Sequence, residues 1–120
     1  MNIRDELLRK HSKKHIMRIV KYIGQDATLF DELMQCFLGN EPRVNQRAAW
    51  AVNYSATENS PHLFYNYMND VISLLNNPDT HHALKRNIVR VWEEIYLPEE
   101  FHSAVIESCF NILLQPSDSV

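Results

Sequence analysis

The sequence predicts an all-α fold of about six antiparallel helices wound into an α-α superhelix. Three observations carry this. Glycine is limited to Gly24 and Gly39, too few for the left-handed turns of an all-β fold. Apolar residues recur at helical spacing in every long segment. Prolines also recur at a near-constant interval, with Pro61 and Pro98 37 apart, Pro42 and Pro78 36 apart, and Pro78 and Pro116 38 apart. A chain of 120 residues with 45% hydrophobic and 22% charged side chains is long enough to bury one globular core.

The first helix is expected over residues 3–23, where Ile16, Ile19, Val20 and Ile23 form a stripe. Its first half offers Leu7 and Leu8 followed by a polar run, so it is expected to pack weakly. Gly24 is the stop signal. The second helix is expected from Thr28 to Leu38, with Thr28 and Asp31 as a capping pair and Phe30, Leu33, Met34 and Phe37 inward. A third begins at Pro42, where a missing N–H costs nothing. On it Val44, Ala48, Ala51, Val52 and Ser55 share one small-residue face, while Arg43, Arg47, Trp50 and Tyr54 share another. It should end before Thr57-Glu58-Asn59.

The fourth helix opens at Ser60-Pro61, with Ser60 as N-cap and Leu63, Phe64, Tyr67, Val71, Leu74 and Leu75 as its stripe. The fifth spans Thr80 to Ile95, with Leu84, Ile88, Val91 and Ile95 inward. The sixth spans Pro98 to Leu114, pairing Phe101, Val105, Cys109 and Ile112 with Ile106, Phe110 and Leu113 on a second side. Pro116 should stop it and leave Ser117–Val120 as a tail. Apolar residues on two sides of this last helix, with no helix to follow, point to a homodimer through the fifth and sixth helices.

Charge is uneven. Residues 1–24 hold seven basic and two acidic side chains, a net of +5, which leaves −8 for the rest of a chain of net charge −3. The chain lacks the apolar core of a secretory signal at Met1–Lys14, and no apolar run nears the roughly 20 residues of a membrane span. Cys36 and Cys109 lie in separate helices without a CxxC partner. Free thiols of this kind suit a cytoplasmic protein.

A period of 36–40 residues with two helices per unit is the mark of a helical solenoid. Leu33–Val52 has an apolar helix, a loop with proline, and Val44 leading into Ala48-Ala49 and Val52. It resembles a HEAT or armadillo unit, and residues 71–91 give a weaker copy with Leu84-Lys85 as its apolar-basic pair. The resemblance implies one repeat domain over 1–120. A basic helix over 1–24 would precede units at 28–56, 61–95 and 98–120, the last incomplete. The whole chain is also similar to small bacterial HEAT-like proteins, some of which carry an adenylosuccinate lyase label. That lyase is marked by a mobile loop with adjacent serines, and no two serines are adjacent here.

No cofactor or catalytic constellation is legible. His11 and His15 are four apart, the spacing at which one helix face presents both imidazoles, but their neighbours are lysines and no third ligand is evident. His81 and His82 point about 100° apart on a helix and read as a polar start. Glu99-Glu100 suit the first turn of a helix, where carboxylates meet exposed N–H groups, and need no catalytic role. The reading is therefore a non-enzymatic scaffold.

In HEAT-like solenoids the second helices line the concave face. By the Val44-to-Leu84 alignment this places Arg43, Arg47, Trp50, Tyr54, Asn87, Arg90 and Glu94 there as candidate contacts for a protein or peptide partner. Trp, Tyr and Arg are the side chains enriched at interface hot spots. Packing of Trp50 against the first or fifth helix as core, and of Tyr54 likewise, is the competing expectation, while the arginines are expected to be exposed. The alternative partner is nucleic acid, held by the basic first helix with Arg43, Arg47 and Arg90, as some HEAT-like DNA-repair proteins do.

Overall fold

α4, Pro42–Tyr54, is the element on which the others pack, and it touches α1, α2, α3 and α7. A computed structural model describes residues 1–114. The other helices are α1 (Ile3–Arg9), α2 (Lys13–Ile23), α3 (Ala27–Leu38), α5 (Pro61–Phe64), α6 (Met68–Asn76), α7 (His82–Glu94) and α8 (His102–Leu114). No strand occurs among the described residues. The chain is all-α, as expected.

α3 and α4 are joined across residues 39–41 and make the most extensive helix pair, which sets them antiparallel. Their contact is close because α4 turns Val44, Ala48, Ala49, Ala51 and Val52 inward, all buried. The opposing face of α3 supplies the bulk, with Phe30, Leu33, Met34 and Phe37 fully buried. Large side chains facing small ones let the two helices lie close together. Gly39 is backed by the Asn45 amide, which donates to its carbonyl at 2.6 Å.

The expected first helix is two helices. Lys10 is extended at φ −155°, and Ser12 starts a new helix by accepting from the His15 N–H at 3.2 Å. The break lets α1 and α2 lie on α4 separately. The expectation of a weakly packed first half fails, because Ile3 and Leu7 are buried in the core.

Helix ends differ in detail. Asp26, not Thr28, caps α3 by accepting from the Leu29 N–H at 3.0 Å. Asp31 instead accepts from the Tyr67 hydroxyl at 2.6 Å. Ser60 stands at the N-cap position of α5 as expected, but its hydroxyl makes no cap bond and instead donates to the Gly24 carbonyl at 2.7 Å, tying the end of α2 to the start of α5. α4 ends at Tyr54, before Thr57 as expected, and a π-helical turn follows it over Ser55–Asn59. The Thr57 hydroxyl donates back to the Asn53 carbonyl at 2.8 Å and holds that turn.

The expected fourth helix is interrupted by a 3₁₀ turn at Tyr65–Tyr67. Tyr67 is anchored on α3 through Asp31, and the Tyr65 hydroxyl donates to the Tyr96 carbonyl, so the turn is pinned from two sides. The fifth and sixth helices form as α7 and α8, with a 3₁₀ turn at Glu99–Phe101 before α8. Leu84, Ile88, Val91 and Trp92 are buried from α7, and α8 buries Val105. Ile106, Phe110 and Leu113 stay exposed. The expected stop at Pro116 and tail at Ser117–Val120 lie outside the described residues.

Candidate functional site

α4 and α7 pack side by side, and the Asn53 amide donates to the Asn87 side-chain oxygen at 3.2 Å between them. Asn87 in turn donates to the Ala83 carbonyl at 2.9 Å, which holds its oxygen toward α4. Above this bridge the two helices form an open groove of about 680 Å³. α4 lines it with Arg43, Gln46, Arg47, Trp50, Asn53 and Tyr54, and α7 with Ala83, Arg86, Asn87 and Arg90. Both sets follow the three- and four-residue steps of one helix face. His11 closes one side from the link between α1 and α2.

Six of the seven candidate residues are gathered here: Arg43, Arg47, Trp50, Tyr54, Asn87 and Arg90. Glu94, one turn beyond Arg90, is exposed and does not line the groove. Arg86, His11, Gln46, Asn53 and Ala83 were not anticipated. Arg86 was within reach, since it stands four before Arg90 and must share its face. His11 was not, because its place depends on the break between α1 and α2.

Trp50 is neither core nor free. It is half-buried, edge-on to the His11 ring at 5.0 Å between centroids and tilted toward Tyr54 at 6.5 Å. The Lys13 ammonium lies 5.5 Å from the Tyr54 ring centre. Arg47 departs from the expected exposure. It is half-buried, and one guanidinium nitrogen donates to the carbonyls of Leu7 at 2.9 Å and Leu8 at 3.1 Å. Arg43, Arg86 and Arg90 are exposed.

The electrostatics are one-signed. Four arginines line the groove, and among the described residues no carboxylate does. Arg43 with Arg47, and Arg86 with Arg90, are like-charge pairs one helical turn apart, a spacing that destabilises a helix by about 0.2–0.5 kcal/mol per pair. His11 responds to this setting. Burial and then the Arg47 charge push its imidazole below the ordinary value.

The histidine pair does not share one helix face. α2 begins at Lys13, so His11 lies outside it. His15 is buried with its Nε2 2.7 Å from the Glu6 carbonyl. Among the described residues no group of three His, Cys, Asp or Glu side chains could hold a metal ion. The His81 ring caps α7 by accepting from the Ala83 N–H at 3.0 Å and stacks on His82.

Helices paired across short loops, with the second helices lining a shared groove, define an α-helical repeat protein. Residues 3–120 match the HEAT repeat domain, and the chain belongs to that family. The expected all-α, HEAT-like superhelix and the family resemblance therefore hold. No curated protein and no solved structure matches the chain significantly. Membership of the HEAT repeat family marks the chain in general terms as a scaffold for protein interactions.

Proposed function

We propose that this protein is a non-enzymatic scaffold that binds a segment of a protein partner in the α4/α7 groove. The carrying observation is the convergence of Arg43, Trp50, Tyr54, Arg86 and Arg90 on one open groove. These are the residue types that dominate binding energy when they are packed at the centre of an interface. The Asn53–Asn87 bridge and the partial burial of Trp50 support a site formed before binding, which lowers the ordering cost of association.

The test is capture of peptides from an immobilised library by the purified protein. Trp50→Ala combined with Arg90→Glu should remove most of the captured set while the helical signal is kept. Equal capture by the double variant would remove this groove as the site. We place the protein in the cytoplasm, on its two free cysteines, Cys36 and Cys109. No helix among the described residues is long and apolar enough to cross a membrane.

Two finer parts of the reading have their own support. We take the repeat units as 28–56, 61–95 and 98–120, following a basic segment at 1–24. Limited proteolysis should then cut first near residues 96–98, where Tyr96 is exposed. Self-association through α7 and α8 is supported by Ile106, Phe110 and Leu113, which are 69%, 59% and 81% exposed. A monomeric mass by light scattering at micromolar concentration would overturn the dimer.

Nucleic acid is the second reading. A smaller basic cleft of about 150 Å³, lined by Arg9, Lys10, Lys14 and Arg18, favours it. Such binding should weaken steeply with salt, and no salt-sensitive binding to an oligonucleotide would remove it.

A further inference from the structure

The basic residues of this chain are placed with a bias that a scaffold does not require. Beyond residue 24 the sequence has five basic side chains, Arg43, Arg47, Lys85, Arg86 and Arg90, against thirteen acidic ones. All four arginines line the α4/α7 groove, the fifth basic residue Lys85 is buried, and no acid among the described residues lines it. The acidic body of the molecule thus holds its exposed positive charge in one place.

We infer that the groove selects an acidic peptide segment, whose carboxylates pair with Arg43, Arg86 and Arg90 while an aromatic or aliphatic side chain packs at Trp50. This rests on the scaffold reading and adds the chemistry of the occupant. Arg47 takes a lesser part, because it is already committed to the carbonyls of α1. Planar guanidinium groups bind carboxylates through paired hydrogen bonds, which a lysine cannot reproduce.

The dimensions agree. From Arg43 to Tyr54 the helix rises roughly 16 Å at 1.5 Å per residue. An extended peptide covers that distance in about five residues. A short segment with two or three carboxylates would match the cations along it.

Two observations favour a short acidic peptide over a nucleic acid. The aromatic rings are partly engaged, Trp50 by His11 and Tyr54 by Lys13, which restricts stacking of bases. A long polyanion leaving the groove along the acidic body would also meet the −8 charge carried by residues 25–120, whereas a short segment confines its charges to the arginines.

The experiment measures binding of three labelled peptides of roughly ten residues by fluorescence anisotropy. Each carries one phenylalanine and four copies of Glu, Gln or Lys. A single-stranded thymidine oligonucleotide is the fourth probe. The Glu peptide should bind at least tenfold tighter than the Gln and Lys peptides. Arg86→Glu with Arg90→Glu should weaken it at least tenfold with the helical signal unchanged, while Lys21→Glu, outside the groove, should leave it unaltered. Tighter binding of the Gln or Lys peptide overturns the inference and leaves the scaffold reading standing. Binding of the oligonucleotide with no peptide bound overturns both. Glu-peptide binding that survives the double reversal, or that Lys21→Glu weakens equally, overturns the assignment to this groove. Binding of none of the probes at millimolar protein overturns the inference.

Discussion

Arg47 reaches from α4 to the end of α1 and donates to the Leu7 carbonyl at 2.9 Å. The same nitrogen also meets the Leu8 carbonyl at 3.1 Å. The last carbonyls of a helix have no partner within it, and a guanidinium is a strong donor to them. One arginine thus closes a helix end and forms part of the groove wall.

Arg47→Ala should therefore act on stability rather than only on binding. Hydrogen bonds to charged groups contribute about 1.5–3 kcal/mol, and Arg47 is half-buried. A loss of about 1–2 kcal/mol in urea unfolding is expected, with Arg43→Ala, which is exposed, near zero. Equal effects from the two would mean that the contact to α1 carries no weight.

The small face of α4 makes a second claim. Ala51 is fully buried where α4 meets its neighbours. Ala51→Leu adds bulk to a filled space and should destabilise by about 1–3 kcal/mol. A thermal midpoint equal to wild type would show that α4 has room the packing does not suggest.

Gly24 has φ +51° and ψ −120°, a conformation that L side chains rarely adopt. A Cβ there would find space, its nearest contact being the Lys21 carbonyl at 3.8 Å. The strain alone should make Gly24→Ala cost about 1–2 kcal/mol. Chemical denaturation measures it, and a stabilising result would contradict the backbone argument.

The pH dependence follows from His11. Its imidazole is held below the ordinary value of 6.5 by burial and by Arg47. The unfolded chain then binds the proton more readily than the folded one. The stability linked to His11 is full above about 6.5 and is lost as pH falls from there through the lowered folded value. Urea midpoints from pH 8 to 5 should fall more steeply in wild type than in His11→Gln. An acidic occupant reverses the sign at this residue, because a nearby carboxylate favours the imidazolium. The His11-linked part of peptide affinity should then rise as pH falls toward the lowered folded value, until the peptide's own carboxylates protonate.

Periodicity carried the reading a long way. The stripes Ile16–Ile23, Phe30–Phe37 and Leu84–Val91 all reached the core, because a 3.6-residue period with one apolar side admits a single way to bury it. The contrast between Val44, Ala48 and Val52 and the face with Arg43, Trp50 and Tyr54 was legible for the same reason. What failed were local competitions. Ser12, Asp26 and Ser60 each had several N–H groups or carbonyls within reach, and their choice depended on what the rest of the chain brought near.

The order of residues thus decided that the chain is helical, where most of the helices lie, and that α4 offers a small face and an arginine-aromatic face, since these follow from spacing along one helix. The tertiary structure alone decided that α1 turns back at Lys10, that Arg47 is spent on Leu7 and Leu8, and that His11 joins Arg86 and Arg90 across a groove. The last two relations join residues 39 to 79 positions apart. Spacing within a helix places residues on a face, but only the packing of one helix on another determines which faces meet.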